Sequence, residues 1–160
     1  MTDINKKSDF QVSTRSAEET YRLGKNFVSS LRKGDVVALY GELGSGKTVF
    51  VQGACAGLGI TREVTSPSFV IMHEYTGDIN VYHFDFYRIN SELEIETLSI
   101  DDYFYEDRIS FIEWPEIAET LLPGSTFKIF FKRLIKKNKI IEGGRIINIS
   151  VPENRRINGI

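Results

Sequence analysis

The feature that most constrains this chain is the stretch Gly41-Glu42-Leu43-Gly44-Ser45-Gly46-Lys47-Thr48, which fits the pattern G-x-x-x-x-G-K-[ST]. Such a glycine-rich turn lets backbone N–H groups close around phosphate oxygens and hands them to a helix N-terminus, where negative charge is favoured. The flanks suit it. Val36-Val37-Ala38-Leu39-Tyr40 is a continuous apolar, partly β-branched run that reads as a buried strand, and Val49 to Leu58 can continue as a helix. Strand, loop and helix are the unit the motif requires, which weighs against a glycine turn that binds nothing. The loop amides are expected to hold the α- and β-phosphates, Lys47 to reach the β- and γ-phosphates, and Thr48 to place its hydroxyl on Mg²⁺. A nucleoside triphosphate, with Mg²⁺, is the expected ligand class.

A length of 160 residues suits one domain with a real core. We expect that domain over residues 10–152, with flexible ends at 1–9 and 153–160. The single Cys55 lies in the small-residue run Ala54-Cys55-Ala56 and reads as packing. No apolar run reaches membrane-spanning length and the N-terminus lacks the apolar core of a signal peptide, so a cytoplasmic protein that does not engage membrane is expected. Formal net charge is only −2, but unevenly spread: Glu74 to Glu119 is acidic, while the tail from Lys128 onward is rich in lysine and arginine.

Along the chain, Phe10 to Ser13 alternates like a half-buried strand. Ser16-Ala17-Glu18-Glu19 then matches a capping box that opens a helix running to Leu31, stopped by Lys33-Gly34. Thr65-Ser66-Pro67-Ser68-Phe69 is a hydroxyl-rich connection whose oxygens could meet a metal or phosphate. Phe69 to Tyr75 and Ile79 to Asp85 read as a hairpin about Thr76-Gly77-Asp78, with His83 and Asp85 on one face and Tyr82, Phe84 and Phe86 on the other. Ser91 to Tyr105 reads as an acidic helix with Leu93 and Leu98 inward. Arg108 to Glu113 is a short strand ending in a carboxylate, the place where nucleotide folds carry an acid for metal or water. Pro115 to Leu122 reads as a short helix with proline at its first position. Two further strands follow, Phe127 to Lys132 and Arg145 to Val151, with a loop at Lys136 to Lys139 and a turn at Gly143-Gly144.

Four of these motifs fall into one order: the Gly41 to Thr48 loop, Thr65 to Phe69, His83-Phe84-Asp85-Phe86-Tyr87-Arg88, and Glu113-Trp114-Pro115-Glu116. Together they resemble the TsaE (YjeE) family of bacterial P-loop ATPases over roughly residues 10 to 151. The resemblance implies an α/β, P-loop NTPase-like three-layer fold with a mixed central sheet flanked by helices. It implies a role, with the TsaB and TsaD proteins, in making threonylcarbamoyladenosine at position 37 of tRNA. Carried onto this chain, it implies nucleotide-binding roles for Gly41, Glu42, Leu43, Gly44, Ser45, Gly46, Lys47, Thr48 and Trp114, and a switch loop at Thr65, Ser66, Pro67 and Ser68. Asp85 and Glu113 look like the family's acids near Mg²⁺ and the γ-phosphate, and with Lys47 form the expected catalytic set. Which acid holds Mg²⁺ is open; we favour Glu113 with Thr48 for the metal and Asp85 for ordering the switch loop and water. Two departures stand out: Val49 replaces a second threonine common in the family, and Ser99 stands where the family usually has glycine.

The leading expectation is therefore a Mg²⁺-dependent ATPase, with weak or partner-dependent hydrolysis, that acts as a switch on a TsaB–TsaD complex and is a monomer when alone. The alternative is a small P-loop kinase. That would usually need lid arginines, yet the stretch from the loop helix to Glu113 holds only Arg62, Arg88 and Arg108. A GTPase would need D-x-x-G and N-K-x-D segments that the chain lacks. The tRNA would be met through the complex. Direct contact would fall to the tail residues Lys132, Arg133, Lys136, Lys137 and Lys139.

Overall fold

The structure is a computed structural model describing residues 9–105 and 107–160. The expectation for residues 1 to 8 lies outside the described residues. Seven strands form one mixed sheet: β1 (Asp9–Thr14), β2 (Val36–Tyr40), β3 (Met72–Tyr75), β4 (Asn80–Asp85), β5 (Arg108–Glu113), β6 (Phe127–Lys136) and β7 (Lys139–Ser150). Their order across the sheet is β1-β7-β6-β2-β5-β4-β3. The centre, β4, β5, β2 and β6, is parallel; β3 joins one side and β7 and β1 the other, all antiparallel. Strands buried on both faces need continuous apolar runs, and β2 is buried from Val36 to Leu39.

Helices α1 (Ala17–Phe27) and α2 (Lys47–Gly57) cover one face, while α3 (Glu92–Thr97) and short 3-10 turns cover the other. This is the α/β three-layer fold with a mixed sheet that the motifs implied. The α1–α2 pair is packed backbone to backbone. A Cβ at Gly53 would lie 1.9 Å from the Tyr21 carbonyl oxygen, and one at Gly24 would lie 2.1 Å from that of Phe50. Beneath the pair, the Phe27 ring packs on Phe50 and Phe127, with centroids 5.5 and 5.6 Å away. The start of α2, and with it the phosphate loop, is therefore fixed to the core. Cys55 is buried there as expected, and burial pushes its thiol up to about 12.

Several local expectations are corrected. The capping box forms, Ser16 Oγ accepting from Glu19 N and Glu19 reaching back to Arg15 N, but α1 ends at Phe27 and only a 3-10 turn continues to Ser30. The first hairpin strand begins at Met72 because Pro67 O accepts from both Val70 N and Ile71 N, folding residues 67–71 into a turn with Ile71 at φ 70°. The acidic helix stops at Thr97, since Ser99 adopts φ 48° before a second 3-10 turn, a left-handed conformation that glycine adopts more readily. Its buried residue is Ile95, followed by half-buried Leu98 and, in the 3-10 turn, buried Ile100, whereas Leu93 is 71% exposed. Leu93 stands two positions from Ile95, about 200° around a helix, so a buried Ile95 turns Leu93 outward. Residues Pro115–Leu121 form a 3-10 helix.

At the C-terminal end, β6 and β7 run much longer than the apolar runs suggested and meet at Lys137-Asn138, both at positive φ, as a two-residue hairpin turn requires. Gly143-Gly144 is no turn. It lies inside β7 opposite a register shift between Arg133 and Ile135, where a Cβ on Gly144 would lie 3.0 Å from that of Leu134. After β7 the chain returns to α1's end, where Arg155 donates to both carboxylate oxygens of Asp35 at 2.6 Å and Asn158 N donates to Ser30 Oγ at 2.8 Å.

Candidate functional site

Parallel pairing of β4 with β5, and of β5 with β2, brings their C-terminal ends to one edge of the sheet. Asp85 pairs in register with Glu113, and Glu113 with Leu39. Residues paired across parallel strands share a face, so the two acids emerge side by side next to the loop that leaves β2. A cleft of about 380 Å³ opens there. Among its walls are Lys47, Thr48, Asp85, Glu113 and Trp114, with Ser66 and Ser68 opposite. Of the remaining expected residues, Leu43, Gly44, Ser45 and Gly46 line the cleft, while Gly41, Glu42, Thr65 and Pro67 do not.

The loop's glycines have conformational reasons. Gly41, Gly44 and Gly46 have φ of 148°, 73° and 103°, and a Cβ at Gly41 would also meet the Phe131 carbonyl oxygen at 2.8 Å. Lys47 folds back into its own loop. Its Nζ donates to the carbonyl of Gly41, and to that of Glu42 at 3.0 Å, and lies 4.1 Å from the centre of the Trp114 ring. Burial lowers the Lys47 ammonium below the usual lysine range, while the carboxylates of Glu113, Glu116 and Asp85 oppose that shift. Trp114 itself sits at φ 56°, an uncommon conformation for a bulky residue, and stacks at a tilt against Tyr87 with centroids 4.9 Å apart.

The two acids have different company. Glu113 is buried and accepts from Thr48 Oγ1 at 2.9 and 3.1 Å; its Oε1 also lies 2.9 Å from His83 Nε2. His83 is fully buried and, among the described residues, its Nδ1 has no hydrogen-bond partner. Asp85 is tied instead to the opposite wall: it accepts from Ser66 Oγ and from Tyr87 N, the latter at 2.8 Å. The Thr65 to Phe69 segment thus reaches the centre of the site through one hydroxyl. Beyond that hydroxyl Phe69 is 80% exposed, its ring capped by the Arg88 guanidinium at 4.0 Å.

The donor set suits a hard cation. Thr48 and Glu113 offer oxygens at the start of α2, and Mg²⁺ characteristically takes one or two carboxylates and fills its shell with substrate phosphates and water. No cluster of three or more histidine, cysteine or carboxylate residues that could hold a metal by itself is found among the described residues.

Sequence reasoning gave no site role to Arg145, Tyr87 or Arg88, yet all three line the cleft. Tyr87 and Arg88 close the His83 to Arg88 motif. Arg145 stood only among the basic residues of the tail, and nothing in its neighbourhood signals a contact made a hundred residues away.

A family model described as "Threonylcarbamoyl adenosine biosynthesis protein TsaE" matches residues 14–141. The chain belongs to the TsaE family. The TsaE of Bacillus subtilis (strain 168), named a tRNA threonylcarbamoyladenosine biosynthesis protein, is 42% identical over 121 residues, 75% of each chain. The TsaE of Treponema pallidum (strain Nichols), named likewise, is 38% identical over 128 residues, 80% of this chain and 95% of that one. A crystal structure of Bacillus subtilis YdiB superposes with a TM-score of 0.77 at 32% identity, covering 92% of this chain and 88% of that one. Within this TsaE chain, Val49 lines the cleft beside Thr48, so the missing second threonine removes a hydroxyl from the cleft wall. The model's match stops short of Arg145. No helix among the described residues is long and apolar enough to cross a membrane.

Proposed function

We propose that this TsaE chain binds and hydrolyses Mg·ATP in the cytoplasm as part of the machinery that makes threonylcarbamoyladenosine at position 37 of tRNA. There it acts as a nucleotide-dependent switch on the TsaB–TsaD complex. The observation that carries this reading is the division of the two acids: Glu113 bonded to the phosphate-loop threonine, and Asp85 bonded to the hydroxyl-rich loop across the cleft.

In this reading the amides of the Gly41 to Thr48 loop hold the phosphates. Lys47 leaves the carbonyls of Gly41 and Glu42 to meet the triphosphate, where charge-assisted contact is stronger than its present hydrogen bonds to neutral carbonyls. Thr48 and Glu113 would hold Mg²⁺, which supplies charge neutralisation to the phosphates. Glu113 in turn is oriented by His83 from beneath. Asp85 orders the attacking water and, through Ser66, registers whether a γ-phosphate is present; release of that phosphate frees the 65–69 loop. Trp114 keeps the Lys47 ammonium close to the site by cation–π contact.

The test combines two measurements. Lys47→Ala should lower ATP affinity or turnover by about 100-fold while the protein stays folded. Recovery of TsaB and TsaD on the immobilised chain should depend on ATP. Unchanged ATP binding and turnover in folded Lys47→Ala would refute the nucleotide site, and recovery indifferent to ATP would refute the switch.

A further inference from the structure

Arg145 projects from β7 onto the phosphate loop. Its Nε donates to the Ser45 carbonyl at 2.6 Å and its Nη2 to the Gly44 carbonyl at 2.9 Å, while Nη1 is anchored on the Gly144 carbonyl at 2.7 Å. The guanidinium fork therefore spans three backbone carbonyls, two of them in the loop, a geometry that lysine's point charge does not reproduce. Directly across the ribbon, in register, stands Arg133, with a guanidinium nitrogen 3.8 Å from where a Cβ on Gly44 would lie. Among the described residues neither arginine has a carboxylate partner. Like charges directly opposite each other on paired strands are destabilising. Here two uncompensated cations flank a loop shaped for anions.

The loop has two ties that hold it open. One is Lys47, on the carbonyls of Gly41 and Glu42; the other is Arg145, on those of Gly44 and Ser45. We propose that Arg145 is a positioning residue that keeps the phosphate loop in its binding shape after Lys47 leaves its loop carbonyls for a polyphosphate. This rests on the phosphate-binding reading above but names a residue outside the stretch matched by the family model. The physical reason lies in the planar trans peptide. With the Ser45 carbonyl held by Arg145, the Gly46 N–H must point to the opposite side, and all the described peptides are trans. Apart from one turn bond, Ser45 N to the Glu42 carbonyl at 3.1 Å, three glycines at positive φ leave the loop little preference of its own for that arrangement. Without the fork, each binding event would have to order the loop anew, and affinity would fall by that ordering cost.

The experiment compares the parent with Arg145→Gln, Arg145→Lys and, as a distant charge control, Arg22→Gln on α1. Calorimetric titration with Mg·ATP and Mg·ADP is paired with amide hydrogen exchange of the nucleotide-free proteins, thermal melts confirming that each is folded. In Arg145→Gln, exchange at residues 44–46 should accelerate about 10-fold with β2 unchanged, and ATP and ADP should both bind about 10- to 30-fold more weakly. Arg145→Lys, which keeps the charge and loses the fork, should recover less than half of the lost affinity on a logarithmic scale, and Arg22→Gln should match the parent. Full recovery by lysine would replace positioning by simple charge and overturn the proposal. So would parental loop exchange in Arg145→Gln, or ATP and ADP affinities within twofold of the parent. If the parent binds no nucleotide, the function proposed above fails, and amide exchange alone decides whether Arg145 orders the loop.

Discussion

The two walls of the cleft are built to different standards. On one side the phosphate loop opens α2, which is locked to α1 by glycines that allow backbone contact, and its carbonyls are tied by Lys47 and Arg145. On the other, residues 65–71 are anchored at their ends, Thr65 on the Tyr75 hydroxyl and the Ile71 carbonyl on Asp85 N, reach the site centre through the Ser66 to Asp85 contact, and present exposed Phe69 and Val70 to solvent. A nucleotide that met only the first wall would be bound and nothing more. A wall that meets the site centre through one hydroxyl, with Phe69 and Val70 exposed beyond it, is the wall that the proposed switch would move.

That contrast can be broken at its strong end. Gly53→Ala forces a methyl group into the Tyr21 carbonyl, so the helices must separate. Urea unfolding should show a loss of about 3 kcal/mol or more, at the top of the range for overpacked cores. A loss below about 0.5 kcal/mol, the scale of an ordinary surface substitution, would mean that the fixed wall is not fixed by this contact.

At the weak end, Ser66→Ala removes the hydroxyl that joins the 65–69 loop to Asp85. Proteolysis within residues 65–71 should quicken by about 10-fold or more, matching the loss of a bond of about 1.5–3 kcal/mol to a charged group, while the global unfolding midpoint moves less than in Gly53→Ala. Equal midpoint shifts in the two variants would erase the distinction between the walls.

Alkaline pH offers a smaller, graded test of the fixed wall. Burial raises the Cys55 thiol from 9.0 to about 12, so between those values the folded chain holds a proton that the unfolded chain has released. Its contribution is fully present below pH 9 and is lost as pH rises towards 12. Burial, with Glu119 as hydrogen-bond partner, raises Tyr40 as well, in the same sense. In Cys55→Ala the fall in stability over this range should be shallower than in the parent; identical slopes would show that the thiol is not held protonated by the core.

The wall formed by the 41–48 loop was legible in the sequence because its information is local. Gly41 to Thr48 is contiguous, and Glu113 is marked by the apolar run it terminates. Asp85 was placed by simple alternation from His83, and the parallel register did the rest. Features made by distant pairing were not legible. Arg145 reaches Gly44 and Ser45 only because β7 folds back on β6, and the length of that hairpin is hidden by a Lys137-Asn138 turn without the glycine usual there. Leu93 was misplaced because it looks as apolar as Ile95, while Leu98 does pack against the core as its sequence suggested.

The central claim is that Glu113 and Asp85 do different work in one site, and the most direct measurement takes Glu113→Gln and Asp85→Asn through Mg²⁺-dependent ATP binding and single-turnover hydrolysis. Glu113→Gln should bind ATP with little dependence on Mg²⁺, whereas Asp85→Asn should bind Mg·ATP like the parent and hydrolyse it about 100-fold more slowly. If both variants bind and hydrolyse Mg·ATP as the parent does, the acids are structural and the account of the cleft is wrong.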